Sequence, residues 1–161
     1  MMSPLGIGFL SVSILGFVVV LYIVLSQVLA HMVRQQIIEV TAQWQVAGVQ
    51  IVKGPATGNY RGHLSAAVPV KGVGVLALTD RDLRFVRLKP RQEFVIPLAH
   101  ITHLVVKRVW KGSYRGGLPV IGVYFDDGVQ ADAMGVIVAR QDQPAWIDAI
   151  TQAAGVEVKE S

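Results

Sequence analysis

The sequence predicts one N-terminal transmembrane α-helix, then a mainly antiparallel β-barrel closed by a C-terminal α-helix. Three observations lead there. The first 33 of the 161 residues contain no Asp, Glu, Lys or Arg. After them, short β-branched runs alternate with turn signals at even spacing, the mark of an antiparallel meander. The chain then closes on a single amphipathic helical pattern. Composition agrees: charged residues make up 16% of the chain and mean hydropathy is +0.48, whereas a soluble domain carries about 25% charge. The 128 residues after the apolar start suffice for one modest domain and not for two. The absence of cysteine excludes a disulfide framework, a thiolate zinc site and a cysteine nucleophile.

Residues 4–33 form the predicted membrane span. A helix rises about 1.5 Å per residue and a bilayer core is about 30 Å thick, so roughly 20 residues suffice. The most apolar stretch is Ile14 to Leu25, and Arg34, Gln35 and Gln36 end the run. A cleaved signal peptide needs a basic start, a shorter apolar region and a small-residue cleavage site. This chain has no basic start, and only Val28-Leu29-Ala30 resembles such a site. The small residues Gly6, Gly8, Ser11, Ser13 and Gly16 give no four-apart pair, so no helix dimer is signalled. Arg34 and Lys53 follow the helix and no Lys or Arg precedes it, which predicts a single-pass protein with its C-terminal domain in the cytoplasm.

Residues 34–48 read as a juxtamembrane helix or linker. Ile37, Val40, Trp44 and Ala47 recur at helical spacing among glutamines, and Gly48 is the expected stop. This stripe is expected to pack on the domain that follows, with a membrane-surface helix as the alternative.

Residues 49–155 hold the predicted domain, and 156–161 a tail. Val73 to Thr79 and Leu83 to Leu88 flank Asp80-Arg81-Asp82 as a hairpin. Lys89-Pro90-Arg91-Gln92 suits a type I turn with Pro second. Ile101 to Val109 is β-branched. Ile121, Val123 and Phe125 alternate before Asp127-Gly128, a tight-hairpin signal, and Val129 to Val138 runs back. Gln50 to Lys53 and Asn59 to Leu64 are weaker strand signals. In the closing helix Asp142 or Gln143 is the expected cap, Pro144 fits the first turn, Gly155 ends it, and Trp146, Ile150 and Ala153 share a face. Such a helix can cover the open end of a small barrel.

The run from Gly72 to Phe85, with its strand ending Leu78-Thr79, its turn, and Leu83-Arg84-Phe85, resembles the signature of GRAM and bacterial pleckstrin-homology-like (PH-like) domains. Ile96-Pro97-Leu98 with Ile101, the strand ending Phe125-Asp126-Asp127-Gly128 and the terminal helix with Trp146 follow in the same order, over residues 59–154. The chain is similar to bacterial membrane-anchored proteins that carry one such domain after one helix. The resemblance implies a binding or scaffold module without catalysis. The chain departs from lipid-binding members, which carry a Lys followed by Arg-x-Arg in the first hairpin; here there is only Lys71 with Arg84 and Arg87.

Several motifs match chemistry formally. Gly72 to Ala77 fits G-x-G-x-x-A, but dinucleotide binding needs a helix starting at the glycines, and here a strand continues. His100 and His103 lie three apart, which on a strand means opposite faces, so no metal is expected. Asp80, Asp82, Asp126 and Asp127 fall in turns, which favour Asp for backbone hydrogen bonding. No catalytic residue, cofactor or metal is therefore expected, and a membrane-tethered enzyme is the different-class alternative.

Charge is more informative. Residues 34–115 hold 13 Lys/Arg against 4 Asp/Glu, and residues 116–161 hold 2 against 7. Lys107, Arg108, Lys111 and Arg115 cluster with Trp110 and Tyr114 and with no acid among them. Near an anionic leaflet each such cation contributes about 1 kcal/mol, and Trp and Tyr suit the interface. These six residues are the candidate site for an anionic lipid or an acidic partner. Gly112 and Gly116-Gly117 are expected to leave the segment adaptable, and charge on an edge strand is the plain alternative. The expected partners are the bilayer through residues 4–33 and a protein at the membrane, with anionic lipid as a further candidate. No recognition motif for nucleic acid accompanies the basic residues, so none is expected to bind.

Overall fold

A computed structural model describes residues 4–68, 70–114 and 116–159. The chain divides into two compact units, Met1–Ile38 and Glu39–Ser161.

Helix α1 runs from Pro4 to Val46, as expected of a sequence with no Pro beyond its first turn and no helix stop before Gly48. In the first unit the apolar side chains of Phe17 to Leu25 are exposed. The segment Phe17–Val46 is long and apolar enough to cross a membrane, with mean hydropathy 1.9 over its best window; a signal sequence near an N-terminus passes the same test.

In the second unit the last turns of α1 bury Val40 and Trp44. The predicted stripe thus packs on the domain at these two positions, while Ala47 is exposed. Gly48, at φ 70°, ends the helix. The Val49 N–H returns to the Trp44 carbonyl at 2.9 Å, satisfying a carbonyl that the helix end would orphan.

The sheet is built from β1 (Ile51–His63), β2 (Gly72–Thr79), β3 (Asp82–Leu88), β4 (Arg91–Pro97), β5 (Ile101–Lys107), β8 (Val120–Asp126), β9 (Ala131–Ile137) and the short β10 (Val158–Lys159). Its order is β10-β5-β8-β9-β1-β2-β3-β4. Every pairing is antiparallel except β10 on β5. The sheet is not closed: β4 and β10 are its two edges, which corrects the expected closed barrel. It nevertheless surrounds one core, because Tyr60, Leu76, Phe85, Ile96, Leu104, Ile121 and Met134, from seven different strands, share a single buried cluster.

The two weak strand signals belong to one strand. Gly54-Pro55 looks like a break in the sequence, but β1 passes through it as a bulge, with register shifts between Ile51, Lys53 and Ala56. Beyond it β1 pairs with β2 on one edge and β9 on the other, so this strand joins the two halves of the sheet.

Three turns differ from expectation. Leu88 pairs with Arg91, so the β3–β4 turn is Lys89–Pro90 alone, with Pro90 third rather than second and its peptide bond cis. Asp126 pairs with Ala131, giving a four-residue loop and a later start for β9. There the Asp127 carboxylate accepts the Val129 and Gln130 amides at 2.9 and 2.8 Å, organising a longer turn than Asp-Gly implies. The strand expected to reach Val109 stops at Lys107, and Val109–Trp110 (β6) pairs instead with Ser113–Tyr114 (β7) as a separate hairpin.

Helix α2 (Gln143–Ala154) carries Trp146 and Ile150 into the core. Asp142 sits at the cap position without a side-chain capping bond, and the Gln143 amide instead donates to the Pro119 carbonyl at 2.6 Å. Gly155, at φ 66°, ends the helix as expected. The buried face is completed by Ala149 and Ala154, whereas Ala153 is exposed. Trp146 lies against the β1 bulge: a Cβ on Gly54 would stand 3.2 Å from its ring.

Candidate functional site

The expected site folds as a hairpin that uses much of its own chemistry. Trp110 is 2% exposed. Its ring lies on the outer face of the sheet over Gly122 and Gly135, which pair across β8 and β9. A Cβ at either glycine would come within 2.4 to 2.5 Å of the indole, so the paired glycines form the slot that holds it. The indole N–H donates to the Gly62 carbonyl at 3.1 Å, and Val120, Ala133 and Ile137 complete a second small core. Trp110 is therefore a packing residue rather than an interfacial one.

Lys111 turns the hairpin at φ 47°, a backbone region that costs a non-glycine residue energy. Its ammonium donates to the carbonyls of His63 at 2.9 Å and Leu64 at 3.1 Å, and also to Ala66. Burying carbonyls without donors is costly, and this cation supplies them for the chain leaving β1. The hairpin is thus pinned at two points, against the expectation of an adaptable loop. Arg108 and Tyr114 are exposed and Lys107 is half-buried. Arg115 lies outside the described residues.

The other sequence-flagged groups also serve the fold. Gly74 faces Phe85, where a Cβ would come within 2.3 Å. His103 stacks on Tyr124 at 4.4 Å. Asp82 accepts from Arg84 Nε at 2.7 Å and from Thr79 at 2.9 Å. Burial alone would raise its carboxyl, but the hydrogen bonds from Arg84 and Thr79 prevail and hold it below the usual range. Among the described residues no group of three or more His, Asp or Glu is placed to hold a metal ion.

A second cluster, which the sequence reading passed over, lies at the end of the sheet away from Trp146. On β3 the inward positions are Leu83, Phe85 and Arg87, so the alternation carries a cation to the inner face. Arg87 is 4% exposed. It donates to the Pro90 carbonyl at 3.1 Å, the Gln92 side-chain oxygen at 2.7 Å and the Val70 carbonyl at 3.5 Å. Its guanidinium stands 5.7 Å from the Tyr60 ring and 5.9 Å from that of Phe94, and those rings stack at 4.6 Å. The Tyr60 hydroxyl and His63 Nδ1 are 2.5 Å apart. Burial lowers the His63 imidazole below its ordinary range, with Asp132 opposing and Lys111 assisting. Burial likewise raises the Tyr60 phenol, with Arg87 opposing. Asp132 is held by the Ser65 hydroxyl at 2.5 Å and amide at 2.9 Å, bonds that outweigh burial and keep its carboxyl low.

A recess of about 290 Å³ opens among these groups beside Ser65, Ala66, Val68 and Val70, with Tyr60, His63, Arg87 and Phe94 in its wall. The only signal for it in the sequence was a charge at core parity, between the apolar Phe85 and the turn at Pro90.

No protein-family model matches the chain, and no curated protein matches it. Among solved structures it is similar to the hSac2 domain from the human phosphoinositide phosphatase Sac2, with TM-score 0.52, 9% identity, and 80% of this chain and 89% of that chain covered. It is also similar to the DH/PH domains of p115-RhoGEF, with TM-score 0.42, 15% identity, and 62% and 29% covered. A third likeness is to human RhoA in complex with the DH/PH fragment of PDZRHOGEF, with TM-score 0.45, 10% identity, and 71% and 32% covered. In these last two, this chain spans about a third of the matched chain's length. At such identity the likeness speaks for architecture alone: the chain shares the fold of the hSac2 domain.

Proposed function

We propose that the chain is a non-catalytic, membrane-tethered binding or scaffold module that engages a protein partner from the cytoplasmic side. The observation that carries this reading is the joining of a PH-like domain to an exposed apolar helix in one continuous α1. Side chains that could do chemistry are engaged in the fold: Asp82 with Arg84, Asp127 with its turn, and Asp132 with Ser65. Use of Trp110 and Lys111 inside the hairpin leaves few free groups for a headgroup site, which favours a protein over a lipid as the main partner.

The lipid reading keeps one specific support. Leu64, Val68 and Val70 are exposed in the β1–β2 connection, which Lys111 joins to the basic hairpin. An apolar tip beside cations suits an anionic leaflet.

Cross-linking the full chain in its native membrane tests the proposal. One discrete protein adduct is expected, and it should survive conversion of Lys107, Arg108, Lys111 and Arg115 to Gln. Adducts to lipid alone would overturn the protein-partner reading in favour of the lipid one.

A further inference from the structure

The recess at Arg87 has the features of a small ligand site that the binding-module reading does not require. A buried cation is costly unless its charge is compensated. Among the described residues Arg87 forms no ion pair, and its hydrogen-bond partners are two backbone carbonyls and an uncharged amide. The rings of Tyr60 and Phe94 supply cation–π attraction, which offsets only part of the cost of burying a charge. A guanidinium has five N–H donors in a planar fork. Among the described residues three are engaged, which leaves two for a ligand.

We propose that this recess binds a small organic carboxylate, its head on the spare Arg87 donors and its short apolar stem on Tyr60 and Phe94. The volume of about 290 Å³ falls at the lower end of ligand pockets, which run from about 300 to 1,000 Å³, and suits a stem of a few carbons. The charge balance selects a monoanion. One buried guanidinium offers a single positive charge. The neighbouring imidazole of His63 is held towards its neutral form by burial, and no lysine lines the recess. A planar fork matches a carboxylate two bonds at a time, whereas a dianionic phosphate would call for a second cation. The remaining wall, Ala66, Val68 and Val70, is apolar and fits a hydrocarbon stem.

The test uses the full chain in nanodiscs of neutral phosphatidylcholine, with radiolabelled butyrate as the probe and equilibrium dialysis as the readout. Saturable binding of one butyrate per chain is expected in the millimolar range or tighter. Unlabelled butyrate should compete, while butanol should not and inorganic phosphate should compete at least tenfold more weakly. Arg87→Gln should weaken binding at least tenfold. Ala66→Phe, which fills the recess and leaves Arg87 itself in place, should do the same and decides the matter if Arg87→Gln fails to fold. Absence of saturable binding overturns the proposal, as does binding that Ala66→Phe leaves unchanged. Phosphate binding tighter than butyrate would also overturn it, by making the site one for phosphate.

Discussion

At one end of the curled sheet, Trp146 and Ile150 of α2 lie over the β1 bulge among Leu78, Leu83 and Leu98, all buried and all apolar or nearly so. At the other end, Arg87, Gln92, Tyr60 and His63 occupy the corresponding inward positions and border an open recess. The lid end gains stability from apolar area removed from water, about 25 cal/mol per Å². The mouth end places a cation in the interior and satisfies it with neutral groups and rings. A fold selected only for stability would fill both ends with hydrocarbon, since apolar replacement of buried charge is often neutral or stabilising. With the ligand proposed above, the contrast sets stability at the lid and recognition at the mouth.

The largest expected effect breaks the lid. Trp146→Ala should lower stability by about 3–5 kcal/mol, the range for buried aromatic truncation, against a typical total of about 5–15 kcal/mol. Thermal unfolding of the full chain in detergent reads this directly, and a loss below 1 kcal/mol would remove α2 from the core account. Next comes the outer slot. Gly135→Ala puts a Cβ where Trp110 lies and should cost about 1–3 kcal/mol as overpacking, with a red shift in tryptophan emission as the indole is expelled. Unchanged emission would contradict the slot. Smaller again is Lys111→Met, which keeps the stem and removes the donor. Loss of the ammonium should cost about 1 kcal/mol and speed amide exchange at Leu64, a protected N–H bonded to the Ala133 carbonyl. Exchange as slow as in the parent would mean that the carbonyls need no cation.

The smallest effect is pH dependence at the mouth. His63 titrates below its ordinary value when folded, so the unfolded chain binds more protons as pH falls below about 6.5. Stability should then decrease on acidification. Asp82 and Asp132 are lowered as well; their contribution is complete above about pH 4 and is lost as pH falls through their folded values. A melting series from pH 8 to 3 on parent and His63→Gln checks the sign, since the variant should lose part of the slope below about pH 6.5. A steeper slope in the variant would reverse the assignment.

The lid was legible because helical spacing, Pro144 and Gly155 all point to one buried face. The hairpin order was legible from period-two runs and turn residues. Beta-1 was not, because a bulge at Gly54-Pro55 uses the residues that otherwise end a strand. Trp110 was misplaced because its neighbours in sequence are cations, while its neighbours in space are two glycines more than ten residues away. The inward position of Arg87, named in the sequence only beside Lys71 and Arg84, was not legible for a related reason. A charge in a strand ordinarily means the solvent face, and only register shows that its parity is that of Leu83 and Phe85.

The most direct test of the lid-and-mouth contrast is site-specific photo-cross-linking of the full chain in its native membrane. One reactive residue replaces Val68, exposed at the mouth, and another replaces Gln152, exposed on the outer face of α2. The account predicts discrete adducts from position 68 and none from position 152. Adducts from position 152 alone would contradict it and move recognition to the lid.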